Sequence, residues 1–150
     1  MNNISLFKKV KSFKIKHPFT VAWRLNSHCK VIEDHLNFDE KVIYAFAAQK
    51  NDSLINIMET AVVALTNRRL VVGQKRVLFG YFFYSITPDM FNDLQVRKGL
   101  FWGKIYIDTI NEMIVLSNIS KSALVEIERN ISNYMMEEKK KYFHRKDKKQ

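Results

Sequence analysis

The stretch AVVALTNRRLVVGQKRVLFG, residues 61–80, sets four cations, Arg68, Arg69, Lys75 and Arg76, among two apolar runs. Guanidinium and ammonium groups at strand ends match phosphate oxygens, so these four are a candidate anion-binding site. A second reading of the same residues is structural: a charged turn between two buried strands keeps the hairpin end in water. The other constellation is FWGKIYID, residues 101–108. Strand alternation sets Phe101, Ile105 and Ile107 on one face and Trp102, Lys104 and Tyr106 on the other. With the first face inward, a Trp-Lys-Tyr stripe looks outward beside Arg97 and Lys98, and aromatic plus basic side chains compose a protein-binding surface. The alternative is that a leading helix or the N-terminal segment covers the stripe.

Catalytic and metal chemistry find less support. His28 and Cys29 are adjacent, which on a helix points their side chains apart, and no third group orients them. Gly73, Gly80, Gly99 and Gly103 are scattered through strands and turns, so no loop is built to cradle a phosphate chain. Four histidines and one cysteine in separate contexts do not assemble a metal site. The chain is expected to be non-enzymatic and to need no cofactor.

These residues need elements to carry them. With 150 residues, 47% of them apolar, the chain has material for one domain with one core. Cys29 stands alone, so no internal disulfide forms, and a reducing, cytoplasmic setting is expected. No apolar run approaches the roughly 18 residues of a membrane span, and no signal-peptide block is evident. The net charge of +10 is unevenly spread. Residues 1–24 hold six basic residues and no acid, and residues 139–150 hold seven against Asp147, which leaves 25–138 two units negative. The expected organisation is a basic N-terminal arm (1–24), a domain (25–138) and a basic C-terminal tail (139–150).

Within the arm, SLFKKVKSFKIKHPF supports two patterns, a helix with Leu6, Val10 and Phe13 on one face or a strand with Phe13 and Ile15 alternating. Ser27 is a candidate N-cap for a short helix reaching Leu36. From residue 41 the period becomes two, and seven short segments (41–49, 54–65, 69–74, 77–86, 94–98, 101–108 and 112–117) read as antiparallel strands joined by turns. Asn67 and Gly99 are expected to supply left-handed turn conformations. Between Ile119 and Met135 the period changes to 3.6, giving a helix with one apolar face that must lie against the sheet. YFFYSI is aromatic on both faces, so a flanking element or a second subunit should pack there.

Seven antiparallel strands with one amphipathic helix after them resemble the pleckstrin-homology architecture. The chain resembles the bacterial pleckstrin-homology domains of the YokE-like group over residues 30–135. Three stretches carry the likeness: DEKVIYAF, VVALTNRRLVV and KGLFWGKIYI. The resemblance implies a mainly β fold, a seven-stranded barrel or sandwich capped by a C-terminal helix, and a non-enzymatic cytoplasmic interaction module. Lys50 occupies the region where eukaryotic relatives hold inositol phosphates, but QKNDS carries one lysine beside Asp52 rather than a basic cluster.

The expected function is docking to a protein partner through Arg97, Lys98, Trp102, Lys104 and Tyr106. The runner-up is peripheral contact with the anionic inner leaflet, with Lys8, Lys9, Lys11, Lys14 and Lys16 supplying charge and Phe7 and Phe13 apolar contact. Phe19 and Trp23 could add to that contact. Nucleic acid ranks third, because the body lacks a recognition helix and an aromatic-lined basic groove. A homo-oligomer is a further possibility.

Overall fold

The computed structural model describes residues 5–149, so the outermost residues of both expected arms, 1–4 and 150, lie outside it. Two helices, α1 (Leu6–Lys16) and α2 (Leu25–His35), precede seven strands. The strands are β1 (Val42–Lys50), β2 (Thr60–Thr66), β3 (Leu70–Lys75), β4 (Tyr81–Ile86), β5 (Phe91–Lys98), β6 (Trp102–Thr109) and β7 (Met113–Ser120). A single helix, α3 (Leu124–Asp147), follows them. All pairings are antiparallel, in the order β4-β3-β2-β1-β7-β6-β5, and the sheet curls into a half-barrel with β4 and β5 at its edges.

The inner face holds the main core. Phe46, Leu65, Leu70, Ile105, Ile107 and Leu116 point inward and meet Leu124, Ile127, Ile131 and Met135 of α3. Those four helical residues recur at spacings of three and four, which places them on one side of α3, against the open side of the curl. A second apolar layer lies outside β1–β3. Ala45, Ala47, Val62, Ala64 and Val71 meet Leu6 and Val10 of α1 and Cys29 and Ile32 of α2. β2 is therefore buried along its whole length, which is why TAVVALT reads as a continuous apolar run rather than an alternating one.

Packing decides one alternative and corrects several expectations. Within residues 1–24, α1 takes the helical alternative, its cap Ser5 accepts from Lys8 N, and Phe13 enters the main core. α2 begins at Leu25, ahead of the expected Ser27 cap, behind Arg24 in a left-handed conformation (φ 54°). Ile119 belongs to β7 and not to the helix, while α3 runs on through most of the expected tail. Leu54 and Ile55 lie in an exposed loop before β2, and Val77–Phe79 form a hairpin end before β4. Phe101, expected inward, is exposed, and Gly103 takes the inward place at the start of β6. The reason is space: a Cβ on Gly103 would come within 2.2 Å of Leu124 Cδ1, so the start of α3 can pack there only over glycine.

Turn chemistry differs too. Among the described residues the left-handed ones are Arg24, Asn51, Gly80 and Asn118, and neither Asn67 nor Gly99 is among them. Asn67 works through its side chain, whose Oδ1 accepts from Lys41 N at 2.9 Å. At Gly99 a Cβ would meet Trp102 O at 2.6 Å. The aromatic surplus of YFFYSI is absorbed within the chain: Phe83 stacks under His35 of α2 at 4.3 Å, while Phe82 and Tyr84 pack against the main core on the inner side.

Candidate binding surface

The anion-site candidates fall into two pairs at opposite ends of β3. Arg69 is a structural clamp. Its Nε and Nη2 donate to the two oxygens of Glu40 at 2.9 and 3.0 Å, Nη2 also reaches His35 O, and Nη1 reaches Ser85. Glu40 also accepts from Thr66 Oγ1 at 2.7 Å and from Asn37 N at 3.0 Å. Burial opposes ionisation of Glu40, but the Arg69, Asn37 and Thr66 hydrogen bonds outweigh it and hold the carboxyl at about 2. Arg68 pairs with Asp39. Asp39, Glu40 and Lys41 thus interlock with Thr66, Asn67, Arg68 and Arg69, and two of the stretches that carried the family likeness form one brace. Lys75 and Arg76, at the far end, are exposed.

The outward stripe is present on β6. Trp102, Lys104 and Tyr106 are half-buried on the outer face while Gly103, Ile105 and Ile107 are buried beneath them. The neighbouring strand completes the surface. Gln95 pairs with Tyr106 and Arg97 with Lys104, which brings the Arg97 guanidinium over the Tyr106 ring at 4.8 Å. Lys104 is engaged by Asp52 of the β1–β2 loop, and that bond raises the ammonium pKa. Trp102 Nε1 donates to Phe19 O at 2.6 Å. The N-terminal segment therefore touches the stripe at one end without covering it. α1 and α2 lie outside β1–β3, and α3 lies on the inner side.

The expected membrane-contact residues separate. Phe13 is buried, Phe7 is half-buried, and Lys8, Lys11 and Lys16 are exposed. Lys14 Nζ donates to Pro18 O and Thr20 O at 2.5 and 2.6 Å and so shapes the bend after α1, its pKa lowered by burial. Lys9 lines a shallow hollow with Ile43 and Glu126.

One cluster escaped the sequence reading because its members are more than 100 residues apart. His17 Nδ1 meets Ser122 Oγ at 2.7 Å and its Nε2 meets Glu126 Oε2 at 2.7 Å, with Lys16 on the other carboxylate oxygen. The residue types are those of an acyl-transfer triad, but the nitrogens are reversed, with Nδ1 rather than Nε2 toward the hydroxyl. What this geometry does is bolt the end of α1 to the first turn of α3. His28 is equally structural: its Nδ1 accepts from Lys75 N at 2.8 Å, and burial pulls its pKa down to about 4. Burial pushes the neighbouring Cys29 thiol up to about 12, which suppresses the thiolate.

At the open end of the curl, a cavity of about 350 Å³ is walled by Val72, Phe82, Tyr84, Ile114 and Leu116, with Lys50 at its rim. The Lys50 ammonium is occupied, 3.0 Å from Gln74 Oε1 and 3.9 Å above the Phe82 ring. Among the described residues no helix is long and apolar enough to cross a membrane, and no group of three or more His, Cys, Asp or Glu side chains is placed to hold a metal ion.

The curled seven-stranded sheet closed by one C-terminal helix defines a pleckstrin-homology-like protein. Residues 36–133 match the model of the bacterial PH domain family, and the chain belongs to that family. It is similar in fold to a pleckstrin homology domain from Shewanella amazonensis SB2B, with 16% identity, a TM-score of 0.50, and coverage of 75% of this chain and 98% of that one. A protein with a pleckstrin-homology domain from Shewanella loihica PV-4 aligns at 16% identity and a TM-score of 0.51, over 76% of this chain and 95% of the other. No curated protein matches the sequence.

Proposed function

We propose that this protein is a non-enzymatic, cytoplasmic binding or adaptor module, of the YokE-like group, that docks a protein partner through the outer face of β5 and β6. The observation that carries this reading is the bare sheet face on which Arg97 lies over Tyr106 beside Trp102 and Lys104. Arginine and large aromatics are the side chains enriched where proteins meet: the aromatics bury much area at little entropy cost, and the guanidinium offers a planar fork of donors. Arg97 is already preorganised by the ring beneath it. The basic segments at either end add a weaker, salt-sensitive attraction to anionic surfaces. Nucleic acid ranks behind: the exposed last turns of α3, with Lys140, Lys141, Arg145 and Lys146, offer charge that attracts any polyanion, and among the described residues no aromatic-lined basic groove accompanies them.

The test is a photo-crosslinking residue in place of Gln95, which is exposed opposite Tyr106. A discrete protein adduct in cell extract, resistant to high salt and lost on Arg97→Glu, is the expected result. Absence of any adduct in wild-type background, or one indifferent to Arg97→Glu, would sink the reading.

A further inference from the structure

Beside that face, around the β5–β6 turn, four large apolar side chains project into solvent: Leu100 is 80% exposed, Phe19 60%, Val125 54% and Phe101 53%. They come from three distant segments, and hydrogen bonds hold those segments in place. Trp102 Nε1 donates to Phe19 O at 2.6 Å, Lys121 N donates to Phe101 O at 3.0 Å, and Ser120 N donates to Thr20 Oγ1 at 3.0 Å. Lys14 fixes the bend that carries Phe19, and the Phe19 and Phe101 rings sit 6.1 Å apart. The tip is therefore a fixed arrangement and not a set of loose loops.

Charge around the tip is of one sign. A shallow groove of about 530 Å³ between these side chains is lined by Lys98, Lys121, Ser120, Ser122 and Pro18, with no carboxylate. Glu126, next along α3, spends its carboxylate on Lys16 and His17. We infer that the Phe19, Leu100, Phe101 and Val125 tip seats the protein on an anionic lipid bilayer, its lysines reaching the headgroups.

Composition favours lipid over protein here. Lysine is depleted at protein interfaces, whereas its long apolar stem and compact ammonium suit an interface between hydrocarbon and anionic headgroups. The tip carries Lys98 and Lys121, while arginine and tyrosine hold the adjoining strand face. A second exposed apolar pair, Leu54 and Ile55, lies in the segment that carries Asp52 and Glu59, and it serves as a control. This inference goes beyond the protein-docking reading and does not rest on it.

The full chain with Trp23→Phe leaves Trp102, at the tip, as the one tryptophan. Its emission is followed with vesicles of mixed phosphatidylglycerol and phosphatidylcholine and with vesicles of phosphatidylcholine alone. A blue shift, and quenching by brominated acyl chains, are expected with the anionic vesicles only. Replacing Leu100 and Phe101 with Ser, both exposed, lowers the bound fraction by about tenfold or more. Replacing Lys98 and Lys121 with Ser lowers it several-fold at low salt, and the Leu54→Ser, Ile55→Ser control leaves it unchanged. Far-ultraviolet circular dichroism checks that each variant is folded. No response to anionic vesicles at low salt would overturn the inference. So would binding that survives loss of Leu100 and Phe101, or that falls equally in the control. The Gln95 adduct is read separately, so either proposal can fail alone.

Discussion

The two halves of one sheet meet opposite fates on their outer faces. β2 and β3 lie between the main core and a second apolar layer supplied by α1 and α2, whereas β5 and β6 keep the inner core and lack a helix outside. The pleat is the same in both, so the covering alone decides whether an outward residue is structure or surface. On the covered half the outward positions beneath the helices are alanine, valine or glycine, with Thr60 and Thr66 at the ends of β2, because a helix must approach: a Cβ on Gly73 would come within 2.5 Å of Ile32 Cγ1. On the bare half the outward positions of β5 and β6 carry Gln95, Arg97, Trp102, Lys104, Tyr106 and Asp108.

The contrast can be tested by substitution, beginning with the brace that closes the covered half. Arg69→Ala strips the buried Glu40 of its cation, and removing one member of such a pair costs about 3–5 kcal/mol. Chemical denaturation should show that loss, and a change below about 1 kcal/mol would mean the brace is ornamental. Ile32→Ala, beneath α2, should cost about 3 kcal/mol by the same measurement, since it opens a void against β3.

Acid probes the same brace. Glu40 has its pKa lowered from 4.5 to about 2, so its stabilising contribution is present above 4.5 and is lost as pH falls through 2. Wild type should lose on the order of 3 kcal/mol of stability across that window. Glu40→Gln should be less stable at neutral pH and flatter over this range. An equally steep acid limb in that variant would assign the loss to other carboxylates.

The smallest effect belongs to the bare half. Tyr106→Ala removes the ring under Arg97 and should change stability by less than about 1 kcal/mol, while abolishing the Gln95 adduct. A large loss of stability would show that the stripe is structural and erase the contrast between the halves.

Much of the architecture was legible. Period-two runs located seven strands, and the later 3.6 period located a closing helix, because local spacing reports which side of an element meets apolar neighbours. Element ends were less legible. Leu54–Ile55 and Val77–Phe79 are apolar enough to extend a strand, yet they project beyond the paired register as exposed loops. The helical option for α1 could be stated but not chosen, since its apolar face is three residues, Leu6, Val10 and Phe13, and only the sheet beneath it gives them a partner.

The candidate surface divides in the same way. Alternation along FWGKIYID determined that Trp102, Lys104 and Tyr106 share a face, and composition determined that the chain carries its cations near its ends. Only the tertiary structure decided which outer face a helix would cover, that Arg69 would be consumed by Glu40, and that Phe19, Leu100, Phe101 and Val125 would meet at one tip. The physical reason is range. Side-chain direction along a strand or helix follows from bonds a few residues long, whereas exposure depends on what the fold brings over a residue from a hundred positions away, as Ser122 and Glu126 show at His17.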